Sequence, residues 1–370
     1  MHELLAVKYI DLNLAVALQV VLLGFIGGTL SGFIGSGGAF FMTPGMMNLG
    51  VEGVVAVASN ITHKFGKAMV GSRSHGAAGN VDRRLAAFLL GTAIAGIQLA
   101  VWINVHLFRG SGDSHGAGGS AAANLYISLV FVLILSVVAT SMLKDSLGSS
   151  GGNGSDSGPS RRISDFLSRL NLPPVIYFRV ADTKVSLWVL MVVGVATGYL
   201  AGTIGVGGFI GVPAMIYIFG VPTAVAAGTE LYLAMFMGAY GALSYAYQGL
   251  LDIRMTMLLY LGSLIGIHLG VYGVKVVNER YIRITTSLII LLCVVSRAIA
   301  MPVYLRQLHL LSYNQAWDQY LNWGSKAFLF VSGSGGAIVI LYHVIKAFRR
   351  RRQIQKTLLV VQEPAQGSTV

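Results

Sequence analysis

Two stretches decide how this chain folds: GTLSGFIGSGG at residues 28–38 and GYLAGTIGVGG at residues 198–208. Laid over one another at an offset of 170, their glycines coincide at 28/198, 32/202, 35/205, 37/207 and 38/208. Pro44 answers Pro213 after a one-residue gap, and Gly50 answers Gly220. The register then runs on through Gly71/Gly241, Asp82/Asp252, Arg84/Arg254 and Gly96/Gly266. So many coincidences at one fixed offset mark an internal duplication.

The residues around these stretches set the solvent. Of 370 residues, 55% are hydrophobic and 11% charged, with a mean hydropathy of +0.71. Soluble proteins carry about 25% charged residues, so this chain cannot cover a water-facing surface of its size. A soluble enzyme, a disordered chain and a fibrous protein are excluded. Apolar runs of spanning length lie near 13–34, 51–72, 84–104, 121–143, 186–204, 221–247, 255–275, 283–301 and 325–347. The net charge of +12 does not point to nucleic acid, because Lys346, Arg349–Arg352 and Lys356 follow directly on an apolar run, as cytoplasmic membrane flanks do. The single cysteine, Cys293, permits no internal disulfide and no multi-cysteine metal site. The first residues lack the basic start and small-residue cleavage site of a signal peptide.

The orientation of the two halves turns on the shorter apolar stretches near 36–50 and 206–220, each led by glycines and containing a proline. A few extended residues followed by about ten helical ones reach roughly 28 Å, nearly the roughly 30 Å bilayer core. If both stretches cross, each half has an odd number of passes, and the second half starts from the opposite face. The basic 73–84 and 275–283 loops, the linker and the tail then all lie inside, as the positive-inside bias requires. If neither crosses, the 73–84 loop and the linker fall outside. The expected fold is therefore an all-α polytopic bundle of two inverted repeats with broken, glycine-led segments and an extra C-terminal span. Its predicted divisions are a first repeat (1–143), a flexible basic cytoplasmic linker (144–185), a second repeat (186–301), an external loop with an extra helix (302–347), and a basic cytoplasmic tail (348–370). The N-terminus is expected outside.

The duplicated GxxxGxxGxGG, followed by a proline and then a glycine that opens the next helix, resembles the sulfite exporter TauE/SafE family, also called the 4-toluene sulfonate uptake permease group. The match covers most of residues 14–105 and 186–301. Departures are the Gly/Ser/Arg-containing linker, the glycine-rich 110–119 loop and the 302–370 extension. The resemblance implies a permease of the inner membrane for small sulfur-containing anions or organosulfonates, with no cofactor.

The residues suggest where an anion would sit. Gly35-Ser36-Gly37-Gly38 and Gly205-Val206-Gly207-Gly208 lack bulk, so their backbone N–H groups can approach a ligand at a broken helix. The alternative is close helix packing, which suits outer glycines such as Gly24/Gly28/Gly32 and Gly262/Gly266/Gly270. The following helix of the first half carries Ser59, Asn60, Thr62, His63, Lys64 and Lys67. Asn60, His63, Lys64 and Lys67 share one helical face, a cationic stripe fit for an anion path, unless Lys64 and Lys67 snorkel to the membrane edge. Thr229 and Glu230 take the places of Ser59 and Asn60 in the second half. Glu230, deep in an apolar helix, reads as a proton carrier, as an ion-pair partner of Lys64, or as a solvated residue. Gln98 and His268 are matched on the third full helix of each half.

No P-loop, HExxH or HxxxH pair is present, which argues against ATP hydrolysis and a histidine metal site. The leading expectation is a secondary transporter of a small anion, coupled to protons or driven by the substrate's own gradient. A channel, or an intramembrane enzyme or assembly factor using the polar stripe, is the alternative. Partners are the anion and the bilayer, without nucleic acid, and self-association into a homo-oligomer is left open.

Overall fold

The computed structural model describes residues 12–34, 38–109, 117–148, 173–276 and 279–362. Within them the helices run α1 (Leu14–Ile34), α2 (Ala39–Asn48), α3 (Gly53–Ala77), α4 (Arg83–Arg109) and α5 (Ala117–Gly148) in the first half. The second half follows with α6 (Leu187–Ile204), α7 (Gly208–Pro213), α8 (Thr223–Tyr247), α9 (Ile253–Val276) and α10 (Glu279–Gln307), and α11 (Ala316–Gln362) ends the described chain. A π-helical turn, Ala214–Ile218, continues α7. An antiparallel hairpin, β1 (Val175–Phe178) with β2 (Thr183–Ser186), precedes α6. The protein is an all-α membrane protein with this one small sheet among the described residues. Six helices (α1, α4, α5, α6, α9 and α10) are long and apolar enough to cross a bilayer. The spans expected at 51–72 and 221–247 are helical too, but α3 and α8 bury polar residues, among them Asn60, His63, Thr229 and Glu230, and this dilutes their hydropathy.

The duplication recurs as local structure. Asp82 Oδ1 accepts the Leu85 N–H (2.9 Å) and Asp252 Oδ1 the Met255 N–H (3.2 Å), so both start the following helix in the same way. The turn glycines Gly50 and Gly220, and likewise Gly79 and Gly249, are paired at the 170 offset, and all four have positive φ. The second break is a capped helix end. After α6, Gly205 takes φ 78° and its N–H closes on Ala201 O at 3.0 Å, a left-handed helix cap. Pro213 then lacks the N–H an α-helix would use, and the chain relaxes into the π turn. In the first half α2 also follows a glycine cluster and contains Pro44, and all ten of its residues are buried.

Glycines dictate which helices pair. A Cβ on Gly24, Gly28 or Gly32 of α1 would strike the backbone of Leu259, Ser263 or Ile267 of α9. A Cβ on Gly194 or Gly198 of α6 would meet Thr92 or the Ala93 backbone of α4, and one on Gly202 would crowd Ala100 and Ile97. Each pair runs parallel, and each joins the first helix of one half to the fourth helix of the other. The outer glycines are thus packing devices, as small residues in membrane helices are. The central pair is α3 with α8: Gly228 abuts Asn80, Gly71 abuts Leu231, Gly238 abuts Phe65 and Gly241 abuts Ile61, so these two helices are antiparallel.

Two features differ from expectation. The end of the predicted linker, 175–186, is the ordered hairpin. Phe178 is buried in it, edge-on to Phe88 of α4 at 6.0 Å, and Val180 and Ala181 donate their N–H groups to Asp82 Oδ2 at 3.1 and 3.0 Å. The Gly/Ser-rich core of that linker, 149–172, lies outside the described residues. The connection expected to form an external loop is also shorter than read, because α10 continues through Pro302 to Gln307 and α11 begins at Ala316. Arg306 and Asp318 close this turn as an ion pair, with the Tyr313 hydroxyl donating to Asp318 at 2.7 Å.

Candidate functional site

The broken segments and the two central helices converge inside the bundle. From α3, Asn60 Nδ2 donates to Ala39 O (2.9 Å) and Thr43 Oγ1 (2.8 Å) of α2, and Thr43 Oγ1 donates to Ile204 O (3.1 Å) at the end of α6. A Cβ on Gly205 would lie 2.7 Å from Asn60 Nδ2. Asn60 therefore stitches the first half's broken segment to the turn of the second. One helical turn on, Lys64 faces Glu230 of α8, with Nζ 3.9 Å from Oε1 and both side chains largely buried. Glycines make room around this pair. A Cβ on Gly207 would sit 3.5 Å from Lys64 Nζ and 3.1 Å from Thr197 O, and one on Gly211 would collide with the Glu230 carboxylate and stand 3.2 Å from Thr197 Cγ2.

Around this pair several buried polar atoms lack a hydrogen-bond partner within the protein. Lys64 Nζ, both Glu230 carboxylate oxygens and Thr197 Oγ1 are buried and have no hydrogen-bond partner, as are Ser59 Oγ, Asn60 Oδ1 and His63 Nδ1. At 3.9 Å the ion pair has Coulombic attraction without a hydrogen bond. Leaving a buried donor or acceptor unmatched costs about 1–3 kcal/mol, and more if it is charged.

The other sequence candidates divide. His63 Nε2 is 2.6 Å from Ser263 Oγ, and its ring lies 4.7 Å from that of Tyr260, whose hydroxyl donates to Thr62 O at 2.7 Å. His63 thus joins α3 to α9 beside the site. Lys67 donates to Ser31 Oγ at 2.8 Å, inside the bundle. Thr229 Oγ1 accepts the Asp82 N–H at 3.0 Å, which ties α8 to the α3–α4 turn. Gly38 is packed on the Gly27 backbone, while Gly35, Ser36 and Gly37 lie outside the described residues. Gln98 accepts from the Tyr240 hydroxyl at 3.0 Å on an exposed surface, and His268 is exposed on α9. Glu230 is 4% exposed, so the solvated reading of it falls. The sequence reading missed Thr197 and Gly211. Thr197 stands where the first half has Gly27, and this break in the glycine pattern was the available signal.

A model of one family matches residues 20–297, and its description is sulfite exporter TauE/SafE. The chain belongs to the sulfite exporter TauE/SafE family. The match takes in α1 through most of α10 and leaves out α11. A curated relative from Bacillus subtilis (strain 168), described as "Probable membrane transporter protein YjnA", is 24% identical over 255 residues, covering 69% of this chain and 89% of the relative. No solved structure matches at a significant level. Members of the TauE/SafE family are membrane transporters, so this protein is a multi-pass membrane transporter and not an enzyme. Among the described residues no cluster of three or more His, Cys, Asp or Glu side chains could hold a metal ion.

Proposed function

We propose that this TauE/SafE protein is a secondary transporter of the plasma membrane. It moves a small anion, an oxidised sulfur compound such as sulfite or an organosulfonate, with Glu230 carrying the coupled proton. The observation that carries the reading is the buried Lys64–Glu230 pair, 3.9 Å apart, with every one of its polar atoms lacking a hydrogen bond. A structural ion pair in a membrane interior is stable when its remaining donors and acceptors are matched. This one keeps three ammonium donors and two carboxylate oxygens in reserve. An oxyanion accepts from Lys64 and Thr197, beside the side-chain-free surface of Gly207 and Gly211. Its charge is repelled by an ionised Glu230 and tolerated by a protonated one, which links anion binding to proton uptake.

The same proposal takes the two repeats as inverted in the membrane. Parallel α1/α9 and α4/α6 pairs around an antiparallel α3/α8 pair support it, since a two-fold axis lying in the membrane plane relates helices of opposite direction. It puts the linker and the tail together in the cytoplasm. The test is uptake into proteoliposomes of labelled sulfite, thiosulfate, sulfate and organosulfonates, with and without an imposed pH gradient. Saturable uptake of one of these, accelerated by the gradient, is the expected result. No uptake of any of them sinks the substrate class, and uptake indifferent to the gradient sinks the proton coupling.

A further inference from the structure

Each broken segment is held at its far end by an element from outside its own five-helix unit. The first segment, α2, ends at Asn48. Arg297 of α10 is 1% exposed, and no carboxylate among the described residues pairs with it. Its Nη2 donates to Asn48 Oδ1 and, at 3.1 Å, to Ser325 Oγ of α11. Ser325 Oγ in turn donates to Asn48 Oδ1 (3.0 Å), Asn48 Nδ2 reaches Ser325 O (3.3 Å), and Ser296 Oγ donates to Ser325 O (2.7 Å). A buried guanidinium on neutral partners at the C-terminal end of α2 is favoured by that helix's negative end. Its partner Ser325 comes from the helix the family match leaves out. The matched position on α5 is Ile127, so the first half has no copy of Arg297.

The second segment ends at Phe219, after the π turn. There Thr183 of the hairpin donates its hydroxyl to Phe219 O. The hairpin is itself pinned by Val180 and Ala181 to Asp82. The Asn48 network lies just before α3 and the Asp82 network just after it. The 25 residues of α3 at 1.5 Å each put the two networks roughly 37 Å apart, enough to reach both faces of a bilayer. Between them, α2, α3 and the end of α6 meet at the Asn60–Thr43–Ile204 contacts, and α7 borders the Lys64–Glu230 pair through Gly211.

We infer that the two networks are latches on opposite faces of the transporter, Arg297–Asn48–Ser325 on α2 and Thr183–Phe219 with Asp82 on the α7 segment, and that releasing either one opens the central site to its own face alone. The far end of each broken segment lies between the site and one face. A segment freed there swings on its inner contacts, while its counterpart stays latched. The inference rests on the transport reading only for the meaning of the site, because access is measured without any substrate.

The experiment uses the full chain in proteoliposomes of known orientation, with Cys293→Ser and a single reporter, Thr197→Cys, whose side chain adjoins Gly211. A membrane-impermeant maleimide is added to one face at a time. Ser325→Ala is expected to raise reporter labelling about tenfold from one face and leave the other unchanged. Thr183→Val should do the same from the opposite face. Tenfold is what losing one buried hydrogen bond shifts in a two-state equilibrium, and it is the lower bound for Ser325→Ala, whose hydroxyl makes more than one. A variant that fails to elute as folded protein is replaced by Ser296→Ala for the first latch or Thr183→Ala for the second, each acting on the same contact. Labelling raised equally from both faces, raised from the same face by both variants, or unchanged in folded protein overturns the inference. Failure of anion uptake by the protein that keeps Thr197, alongside face-selective labelling of the reporter protein, would leave the latches standing and remove the substrate assignment.

Discussion

The two halves of the molecule share one plan and differ at the place where they matter most. In the first half Asn60 spends its amide N–H groups on Ala39 and Thr43, and Met42 fills the space over Gly27, its Cε 2.6 Å from where a Cβ there would be. In the second half Glu230 and Thr197 match Asn60 and Gly27 at the offset of 170, and Gly211 answers Met42 at the offset of 169 that aligns Pro44 with Pro213. There the large side chain is gone, the amide has become a carboxylate, and that carboxylate has no hydrogen-bond partner. One copy of the duplicated motif ties its amide to the broken segment, and the other lays a buried carboxylate against Gly211. A duplicated scaffold doubles the framework without doubling the chemistry, because a few side chains decide whether a helix break is a joint or a site.

The largest expected effect comes from giving the second half the first half's side chain. Gly211→Met should abolish proteoliposome uptake, at least a hundredfold, because its side chain must occupy the space next to the Glu230 carboxylate. Insertion and elution should remain those of folded protein, since overpacking costs about 1–3 kcal/mol. Normal uptake by this variant would mean that the Gly211–Glu230 contact is not on the substrate's path.

Next is the carboxylate itself, changed toward the amide found at Asn60. Glu230→Gln should keep anion exchange in the absence of a gradient and lose all acceleration by an imposed pH gradient. If gradient dependence survives intact, the proton is carried elsewhere.

Lys64→Gln should weaken anion affinity by about 1–3 kcal/mol, or roughly 5- to 150-fold, as loss of a charge-assisted hydrogen bond does, and the rise in half-saturating concentration reads it. If Lys64→Gln instead lowers thermal stability and a second change, Glu230→Gln, restores it, the two form a structural pair and the comparison loses its functional half.

The smallest effect on transport should come from Met42→Ala. It creates a cavity in the first half's copy and costs about 2–5 kcal/mol of stability, visible as a lower melting temperature. The concentration dependence of uptake should not move. A shift in substrate affinity would show that the first half also carries a site.

Much of this was legible in the chain because it is local. A glycine cluster breaks a helix wherever it sits, and an offset of 170 repeated over many positions needs no coordinates to find. Lys64 and Glu230 were likewise conspicuous as charges in apolar helices. Thr197 and Gly211 were less so, since a threonine and a glycine in a membrane helix are ordinary until their neighbours are known. The hairpin at 175–186 was hidden next to a low-complexity linker whose composition dominated the reading. Its order depends on Asp82, nearly a hundred residues away.

By itself, then, the sequence determined the solvent, the duplication and the positions of the breaks, because hydropathy and backbone freedom belong to each residue and its immediate neighbours. Only the tertiary structure decided which charges meet and which are left without partners. The rotation of α3 against α8 brings together Lys64 and Glu230, 166 residues apart. The docking of α11 surrounds Arg297 with an asparagine and serines instead of a carboxylate, so no pattern of opposite charges in the chain could have announced it. Those contacts are fixed by helix packing through glycines on other faces, and packing is a property of pairs of helices that no single segment carries.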